Sequence, residues 1–219
     1  MNDDFLSYQM TTSSWKYLNG KLKRSIDVMG ALIGLVLGFP IFGVASVIVA
    51  IVDKVPVVFT QERIGFKGKP FTIMKLRTLP IVETRDMVSA RKIASKPEYR
   101  TTYTGKFWRV TSIDEIIQFW LVLKGDMSLI GHRPFPTYYL PFLVDMEGMN
   151  KEIVDHYLHV IYQYKPGMSS LSSVCGRGDL TLREKFLYDL VYASQAGFWF
   201  DARLIVQTIY IVITCKGAR

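Results

Sequence analysis

The chain has 219 residues, a formal net charge of +8 and 49% hydrophobic residues. This length suits one domain, or one domain plus an appendage, and allows a sizeable core. The basic, apolar composition fits a membrane surface or a phosphate-rich ligand better than duplex DNA, with a solvated basic face as the alternative. Since no zinc-finger spacing or RNA-binding aromatic strand is present, we expect no nucleic-acid partner.

The two cysteines, Cys175 and Cys215, lie far apart and form no C-x-x-C pair. This usage argues against a disulfide framework and suits a reducing cytoplasm. The first ten residues, MNDDFLSYQM, lack the basic-then-apolar order of a cleavable signal peptide, so we expect none.

The first long element is an apolar segment at residues 28–52, which contains no charged residue. As a helix it would be about 37 Å long, against a bilayer hydrocarbon core of ~30 Å. Pro40, with Gly38 before it, lies near the middle and predicts a kink or break. Basic residues flank the segment on both sides: Lys16, Lys21, Lys23 and Arg24 before it, and Lys54, Arg63 and Lys67 after it.

These flanks bear on how the segment meets a membrane, because cytoplasmic flanks of membrane segments are enriched in Lys and Arg. A helix broken at Pro40 can enter and leave by the same face and thereby keep both flanks cytoplasmic. Three interpretations remain open: a re-entrant helix-break-helix, a plain spanning helix, and a buried helix of a soluble protein. A second apolar run, Leu204 to Thr214, is too short to span and predicts an interfacial or core helix.

A hairpin is predicted next, from Val55 to Thr78. Apolar positions alternate on both sides of the punctuation at residues 65–70, with Lys75 and Arg77 among the polar alternates. The charged stretch from Pro80 to Arg100 is weakly patterned and predicts a loop or an exposed helix.

An acidic pair, Asp114 and Glu115, begins the following apolar helix. Ser112 and Glu115 have the spacing of a capping box, and Lys124-Gly125 predicts the end of the helix. One interpretation is that both acids satisfy a helix N-terminus. The other is chemical: a carboxylate there keeps its charge and can act as a nucleophile, while its neighbour binds a divalent cation beside phosphates. Arg109, Lys124 and Arg133 are nearby cations.

The order of four segments adds a family resemblance. They read KRSIDV from residue 23, FTQERIGFKGKPFTIMKLRT from residue 59, RVTSIDEIIQFWLVLKGDMSLIGHRP from residue 109, and YKPGMSSLSSVCGRGDLTLREKFLYDLVYA from residue 164. This arrangement resembles the bacterial sugar transferase family, the monotopic polyprenyl-phosphate phosphoglycosyl transferases, over about Lys21 to Lys216. Phe39-Pro40 and Gly131-His132-Arg133-Pro134 depart from the family's usual Ser-Pro and G-P-R-P.

The resemblance implies transfer of a sugar-1-phosphate from a UDP-sugar to undecaprenyl phosphate, with Mg²⁺, at the cytoplasmic face of the bacterial inner membrane. Asp114 matches the nucleophile, which forms a phosphosugar-aspartyl intermediate and releases UMP. Glu115 matches its partner, and both carboxylates are expected at the metal. Arg133 matches a phosphate-binding arginine. The other polar positions expected at substrate or phosphate are Lys75, Arg77, Arg109, Asp126 and Arg177.

We therefore expect an α+β, membrane-associated chain with a small, mainly helical catalytic domain and a short β-hairpin. Its predicted divisions are a tail at 1–20, a re-entrant membrane helix at 21–54 and a cytoplasmic or interfacial catalytic domain at 55–219. Inner-membrane lipids are expected partners, and a homodimer is left open. The alternatives are a non-catalytic membrane scaffold or regulator of the same family, and a soluble nucleotide-binding module.

Overall fold

A computed structural model describes residues 5–80, 101–137, 150–176 and 180–215. Within these ranges the chain forms eight α-helices and two two-stranded sheets. The helices are Thr12–Leu18 (α1), Lys21–Ile48 (α2), Gly105–Val110 (α3), Gln118–Lys124 (α4), Lys151–Ile161 (α5), Leu171–Cys175 (α6), Leu182–Gln195 (α7) and Phe198–Thr214 (α8). The strands are Val58–Ile64 (β1), Pro70–Leu76 (β2), Ser128–Ile130 (β3) and Gly167–Ser169 (β4). The mixed, mainly helical class is confirmed, whereas residues 81–100 lie outside the described ranges.

The predicted hairpin is present as β1 and β2. The strands run antiparallel, with Val58 opposite Leu76 and Ile64 opposite Pro70. The turn between them places Lys67 and Gly68 in the left-handed region, at φ 58° and 70°. Alternation and turn residues were sufficient to predict this element because both act over a few residues of sequence.

A second sheet joins two segments that are distant in the sequence. Strands β3 and β4 pair in parallel, with Ser128 opposite Gly167 and Ile130 opposite Ser169. The backbones approach so closely that a Cβ added to Gly167 would lie 2.1 Å from the amide nitrogen of Gly131. Glycine at both positions therefore permits the pairing, which fixes the course of the chain just before Arg133.

Helix α2 remains helical through Pro40 and ends in a π-helical turn at Val49–Asp53. The predicted break at Pro40 is therefore wrong as an interruption of the helix: proline removes one backbone donor, but its neighbours keep their helical hydrogen bonds. The segment Lys21–Asp53 is long and apolar enough to cross a membrane, by length and composition. Its course relative to a membrane stays a prediction.

One face of α2 packs on the rest of the protein along most of its length. A Cβ on Gly34 would lie 2.5 Å from the ring of Phe119, and Gly38 similarly faces Ile116. Ala31, Ala45 and Val49 are completely buried on the same side. The opposite face is apolar and exposed, with Ile33, Val36, Leu37, Phe39, Val44 and Val47 each more than half exposed. This double-sided apolarity explains why the segment lacks charges, and the broad exposure is unlike that of a soluble core helix.

The largest core cluster lies among α5, α7 and α8. Tyr157 and Phe186 stack at its centre with ring centroids 3.7 Å apart. Tyr164 and Tyr192 are also fully buried there. The hydroxyl of Tyr157 donates a hydrogen bond to Asp189, so its polar end is satisfied inside the core.

A buried charge cluster ties α2 to this body. Lys23 Nζ lies 2.9 Å from Asp27 Oδ1 and 2.9 Å from Asp201 Oδ2, and all three side chains are at most 3% exposed. Tyr17 and Tyr192 donate their hydroxyls to Asp201, while Ser128 Oγ and the Leu129 amide donate to Asp27. The cluster thus connects α1, α2, β3, α7 and α8.

Two basic residues before the apolar segment, which lie in the first turn of α2, have a structural use that the sequence did not indicate. Lys23 is buried, and Arg24 donates from its two terminal nitrogens to the carbonyls of Val122 and Leu123, each at 2.6 Å. Arg24 therefore caps the C-terminus of α4, where a positive charge complements the helix dipole. Two of the charges that suggested contact with a membrane surface are instead used inside the protein.

Replacing Lys23 should destabilise the protein strongly. Lys23→Met leaves two buried carboxylates without their cation, which costs ~3–5 kcal/mol when one partner of a buried ion pair is removed. Lys21→Met on the same helix is the matched control, because Lys21 is exposed. Thermal unfolding in detergent should show a clearly lower midpoint for Lys23→Met alone, and equal midpoints for the two variants would refute a stabilising role.

Candidate functional site

The acidic pair lies in a short 3₁₀ turn, Ile113–Glu115, between α3 and α4. Ser112 precedes it with φ 59° and makes no capping hydrogen bond, so the predicted capping box is wrong. The helix instead begins at Gln118, because Ser112 takes a left-handed conformation that ends α3 and turns the chain. The predicted helix end is confirmed: Gly125 follows Lys124 at φ 98° and donates to the carbonyls of Leu121 and Val122.

Asp114 is the more buried member of the pair, at 7% exposure. Burial, together with the charge of Glu115, raises the pKa of Asp114 to about 6, against the opposing effects of Lys75 and Arg109. We expected a helix N-terminus to favour the charged form. That expectation is wrong, since the residue is in a three-residue turn and desolvation dominates. At neutral pH the ionised form of Asp114 is therefore destabilised by its surroundings.

Glu115 is held by cations on two sides. Its Oε1 accepts a hydrogen bond from Lys75 Nζ of β2, and it lies 3.8 Å from a terminal nitrogen of Arg133. Arg133 follows β3, so the pairing of β3 with β4 sets its position. Hairpin, acidic turn and second sheet thus converge on one point, although their residues are far apart in the sequence.

These groups line one cavity of about 690 Å³, which we call the site cavity. Five of the eight predicted site residues line it: Lys75, Arg109, Asp114, Glu115 and Arg133. The cavity thus contains two carboxylates and four cations, the fourth being Lys185. Apolar side chains of α2 and α8, together with Phe119, Met168 and Val174, form an apolar part of its lining.

The other three predicted residues are not brought to this cavity by the described structure. Arg77 donates from Nε to the carbonyl of Pro56 at 2.8 Å and lies over the ring of Phe59. Asp126 pairs with Lys124 at 2.9 Å. Arg177 lies outside the described residues.

Several lining residues were missed by the sequence analysis. They are polar side chains of β4, α6, α7 and α8: Ser169, Ser172, Ser173, Lys185 and Thr208. The serines follow Pro166-Gly167, a turn signal at the start of β4 that could have drawn attention to them. Lys185 lies on a charged helix, and the sequence gave no signal for its place in the cavity.

His132, next to Arg133, belongs to the core and not to the site cavity. It is 1% exposed, with its ring edge-on to Tyr164 at 5.0 Å between centroids. Burial lowers the pKa of His132 to about 3, so the ring is neutral at physiological pH. Of the two basic residues in Gly131-His132-Arg133-Pro134, only Arg133, which is half-exposed, can present a positive charge to a phosphate.

The carboxylates suit a magnesium ion that is shared with a substrate. Among the described residues, no group of three or more His, Cys, Asp or Glu side chains could enclose a metal. Mg²⁺ commonly uses one or two carboxylates, several waters and the phosphates of its substrate. Asp114 and Glu115 provide that number of carboxylates, and cations that could bind phosphate line the same cavity, so the residues fit Mg²⁺ held together with a diphosphate.

Comparison with known proteins finds a family match over most of the chain. The sequence model of the family described as bacterial sugar transferase matches residues 18–215. A UDP-glucose:undecaprenyl-phosphate glucose-1-phosphate transferase of Klebsiella pneumoniae is 33% identical over 92% of this chain. A UDP-N-acetylgalactosamine-undecaprenyl-phosphate N-acetylgalactosaminephosphotransferase of Aeromonas hydrophila is 32% identical over 90%.

The coverage of these relatives differs. The chain spans 42% of the Klebsiella protein and 45% of the Aeromonas protein. By contrast, it spans 89% of an uncharacterized sugar transferase, EpsL, of Bacillus subtilis, to which it is 32% identical. Since relatives of nearly equal identity are named for different sugars, similarity alone does not select the sugar.

The raised pKa of Asp114 predicts that this side chain destabilises the fold at neutral pH. Folding raises the pKa from 3.8 to about 6, so the cost is present above that pH and disappears where the carboxyl is protonated in both states, below about pH 4. Asp114→Asn should therefore raise the thermal midpoint at neutral pH, by an amount corresponding to roughly 2–3 kcal/mol.

Thermal unfolding at pH values from about 4 to 7.5, in detergent and without divalent cations, tests this. Asp126→Asn is the control, because that carboxylate pairs with Lys124 at the surface and should show no such gain. A gain for Asp114→Asn that is independent of pH would contradict the assignment of the cost to a buried charge.

Proposed function

Because this chain belongs to the bacterial sugar transferase family, we propose that it transfers a sugar-1-phosphate from a UDP-sugar to undecaprenyl phosphate. This reaction would be the first membrane step in making a surface glycan such as an exopolysaccharide, capsule, O-antigen or glycoprotein. One observation carries the proposal: a buried carboxylate, Asp114, shares a single cavity with a second carboxylate and four cations.

In the first step Asp114 attacks the β-phosphorus of the UDP-sugar. An oxygen of its carboxylate forms a bond to phosphorus, the bond to the bridging oxygen breaks, and UMP leaves with the electron pair. The product is a phosphosugar ester of Asp114. The unfavourable burial of this carboxylate supports the assignment, since a poorly solvated anion is a stronger nucleophile than a hydrated one.

The cations of the site cavity would bind the diphosphate and stabilise the charge that develops during transfer. Arg133 is suited to forked contacts with phosphate oxygens, while Lys75 holds Glu115 in place. Mg²⁺, bound through Asp114 and Glu115, would neutralise phosphate charge and assist the departure of UMP. Fixed charges that are already oriented before the reaction contribute most to this kind of catalysis.

In the second step the phosphate of the lipid acceptor attacks the phosphorus of the enzyme-bound phosphosugar. A new phosphoanhydride bond forms, the bond to Asp114 breaks, and the carboxylate is regenerated. Two displacements at one position allow a soluble donor and a lipid acceptor to use the same charged groups in turn.

The packing of α2 supports placement of the chain at the cytoplasmic face. Its inner face contacts the acidic turn and α4 through Gly34 and Gly38. A helix that crossed the bilayer would take these contacts, and the charged cavity next to them, into the hydrocarbon region at great cost. A re-entrant course would require α2 to bend at Pro40 while it stays helical, and it would keep the outer face of α2 in lipid and the cavity at the interface. Trp15, Trp120 and Trp199, each about half exposed or more, would lie at the boundary.

The nucleophile is tested with donor and no lipid acceptor. Wild-type protein should release UMP and gain the mass of one phosphosugar, and Asp114→Asn should do neither. Loss of the attacking oxygen should lower turnover by at least about three orders of magnitude. Glu115→Gln should also lose activity, with partial recovery at high Mg²⁺. Intact-protein mass spectrometry over a panel of UDP-sugars is the measurement, and it also identifies the sugar.

Two arginines supply matched controls for this assay. Arg133 lines the site cavity, whereas Arg77 binds a backbone carbonyl outside it. Arg133→Ala should lower turnover about 30- to 1,000-fold, and Arg77→Ala should have little effect. Normal turnover of Asp114→Asn would end the covalent reading. A folded wild type that transfers from no donor would favour the non-catalytic scaffold.

The membrane course is tested by single cysteines on either side of α2. Ser13→Cys and Lys69→Cys place thiols at exposed positions in a background with Cys175 and Cys215 replaced by serine. Because a re-entrant helix leaves both flanks in the cytoplasm, an impermeant maleimide should label both cysteines in inverted membrane vesicles and neither in intact spheroplasts. Labelling of either cysteine in spheroplasts would establish a spanning helix.

A further inference from the structure

Helices α2 and α8 both contribute apolar residues to the lining of the site cavity. They are Ile41 of α2, and Ile211 and Val212 of α8. We call these three residues the lipid portal. The two helices are tied together near their N-termini by the ion pair of Lys23 and Asp201, and farther along both contribute walls to the cavity.

The surfaces next to the lipid portal are also apolar. On α2, Leu37 and Val44, each one turn from Ile41, are 68% and 63% exposed, and on α8, Ile209, one turn before Val212, is 54% exposed. An apolar surface therefore continues from the outer faces of both helices to the wall of the cavity. The same cavity is also lined by four cations and by the acidic pair.

We propose that the lipid acceptor enters the site cavity between α2 and α8, with its first isoprenoid units against the lipid portal and its phosphate at the cations. This inference rests on the proposed function and specifies how the acceptor is bound. The cavity is complementary to an amphiphile that has an anionic head and a hydrocarbon tail. The UDP-sugar does not suit the lipid portal, because a sugar and a uridine need hydrogen-bonding partners that aliphatic side chains lack.

A pair of hydroxyls lies where the lining residues of α8 change from polar to apolar. Ser169 Oγ and Thr208 Oγ1 lie 2.8 Å apart and hydrogen-bond across β4 and α8. Thr208 is one turn before Ile211 and Val212 on the same helix, so α8 passes from polar to apolar along the cavity wall. Since these hydroxyls are bonded to each other, they stabilise the junction of the helix with β4.

A neighbouring apolar groove lacks the polar half of this arrangement. It is lined by Leu35, Val36, Phe39, Met74, Ile117 and Trp120. None of these side chains can bind a phosphate. The groove could accommodate hydrocarbon from any lipid, whereas the site cavity combines hydrocarbon contact with charge. We therefore assign the acceptor to the cavity.

The test narrows the portal without altering charge. Ile211→Trp and Val212→Trp add bulk to the cavity wall, and Ile213→Trp adds the same bulk on the outer face of α8 as a matched control. Two rates are measured in nanodiscs for each protein: UMP release with donor alone, and transfer from the phosphosugar-bound protein to undecaprenyl phosphate. The portal variants should raise the KM for the lipid at least about tenfold, since contact with roughly one isoprenoid unit is lost. UMP release should change far less, and Ile213→Trp should match wild type in both rates.

Direct contact is tested with a photoreactive polyprenyl phosphate and peptide mass spectrometry. Crosslinks to the lipid portal should be prevented by unlabelled undecaprenyl phosphate and not by phosphatidylglycerol. Equal competition by both lipids would show that bulk phospholipid occupies the portal and would overturn the proposal. Portal variants with the same lipid KM as Ile213→Trp would overturn it too. A wild type that releases no UMP from any UDP-sugar would instead refute the proposed function.

Discussion

The structure depends on one buried interaction, the contact of Lys23 with Asp27 and Asp201. A single cation lies between two carboxylates inside the protein. Two tyrosine hydroxyls also donate to Asp201, and a serine hydroxyl and a backbone amide also donate to Asp27. Such a cluster is tolerated in a low-dielectric interior because its members are paired and hydrogen-bonded. It joins the apolar helix α2 to α8 and to β3, the strand that leads to Arg133. Helix α2 and the segment that brings Arg133 to the site cavity are thereby parts of one packed body.

The site places charge where apolar surface is nearby. Burial raises the pKa of Asp114, whereas Glu115 remains partly exposed and accepts a hydrogen bond from Lys75. The same cavity has aliphatic walls from α2 and α8. A reaction between a soluble nucleotide sugar and a membrane lipid requires both environments within a few ångströms. In this chain different segments supply the two. The hairpin and the acidic turn bring half of the charged side chains, other segments bring the rest, and α2 and α8 bring the aliphatic walls.

Features that depend on a few neighbouring residues were predictable from the sequence. The hairpin followed from alternation and turn residues, and the end of α4 followed from Lys124-Gly125. Features set by backbone conformation or distant packing were not. Ser112 has the spacing of a helix cap but a left-handed conformation, which no local pattern indicated. Lys75 and Arg77 alternate with apolar residues in the sequence, which placed both on one predicted strand. In the structure Arg77 lies beyond the end of β2, and its side chain donates to the carbonyl of Pro56. Lys185 and Thr208 reach the cavity only because α7 and α8 fold back onto the earlier segments.

The small residues on the inner face of α2 bear on the order in which the protein is assembled during synthesis. The face that includes Gly34 and Gly38 leaves the ribosome before Phe119 and Ile116, the side chains that later cover it. Lys23 can pair at once with Asp27, one helical turn away, but Asp201 is made much later. Under the proposed membrane course, lipid would cover both faces of α2 until Ile116 and Phe119 are made, and would then leave the inner face. The bilayer would thereby serve as a temporary partner for the surface that afterwards packs beside the site.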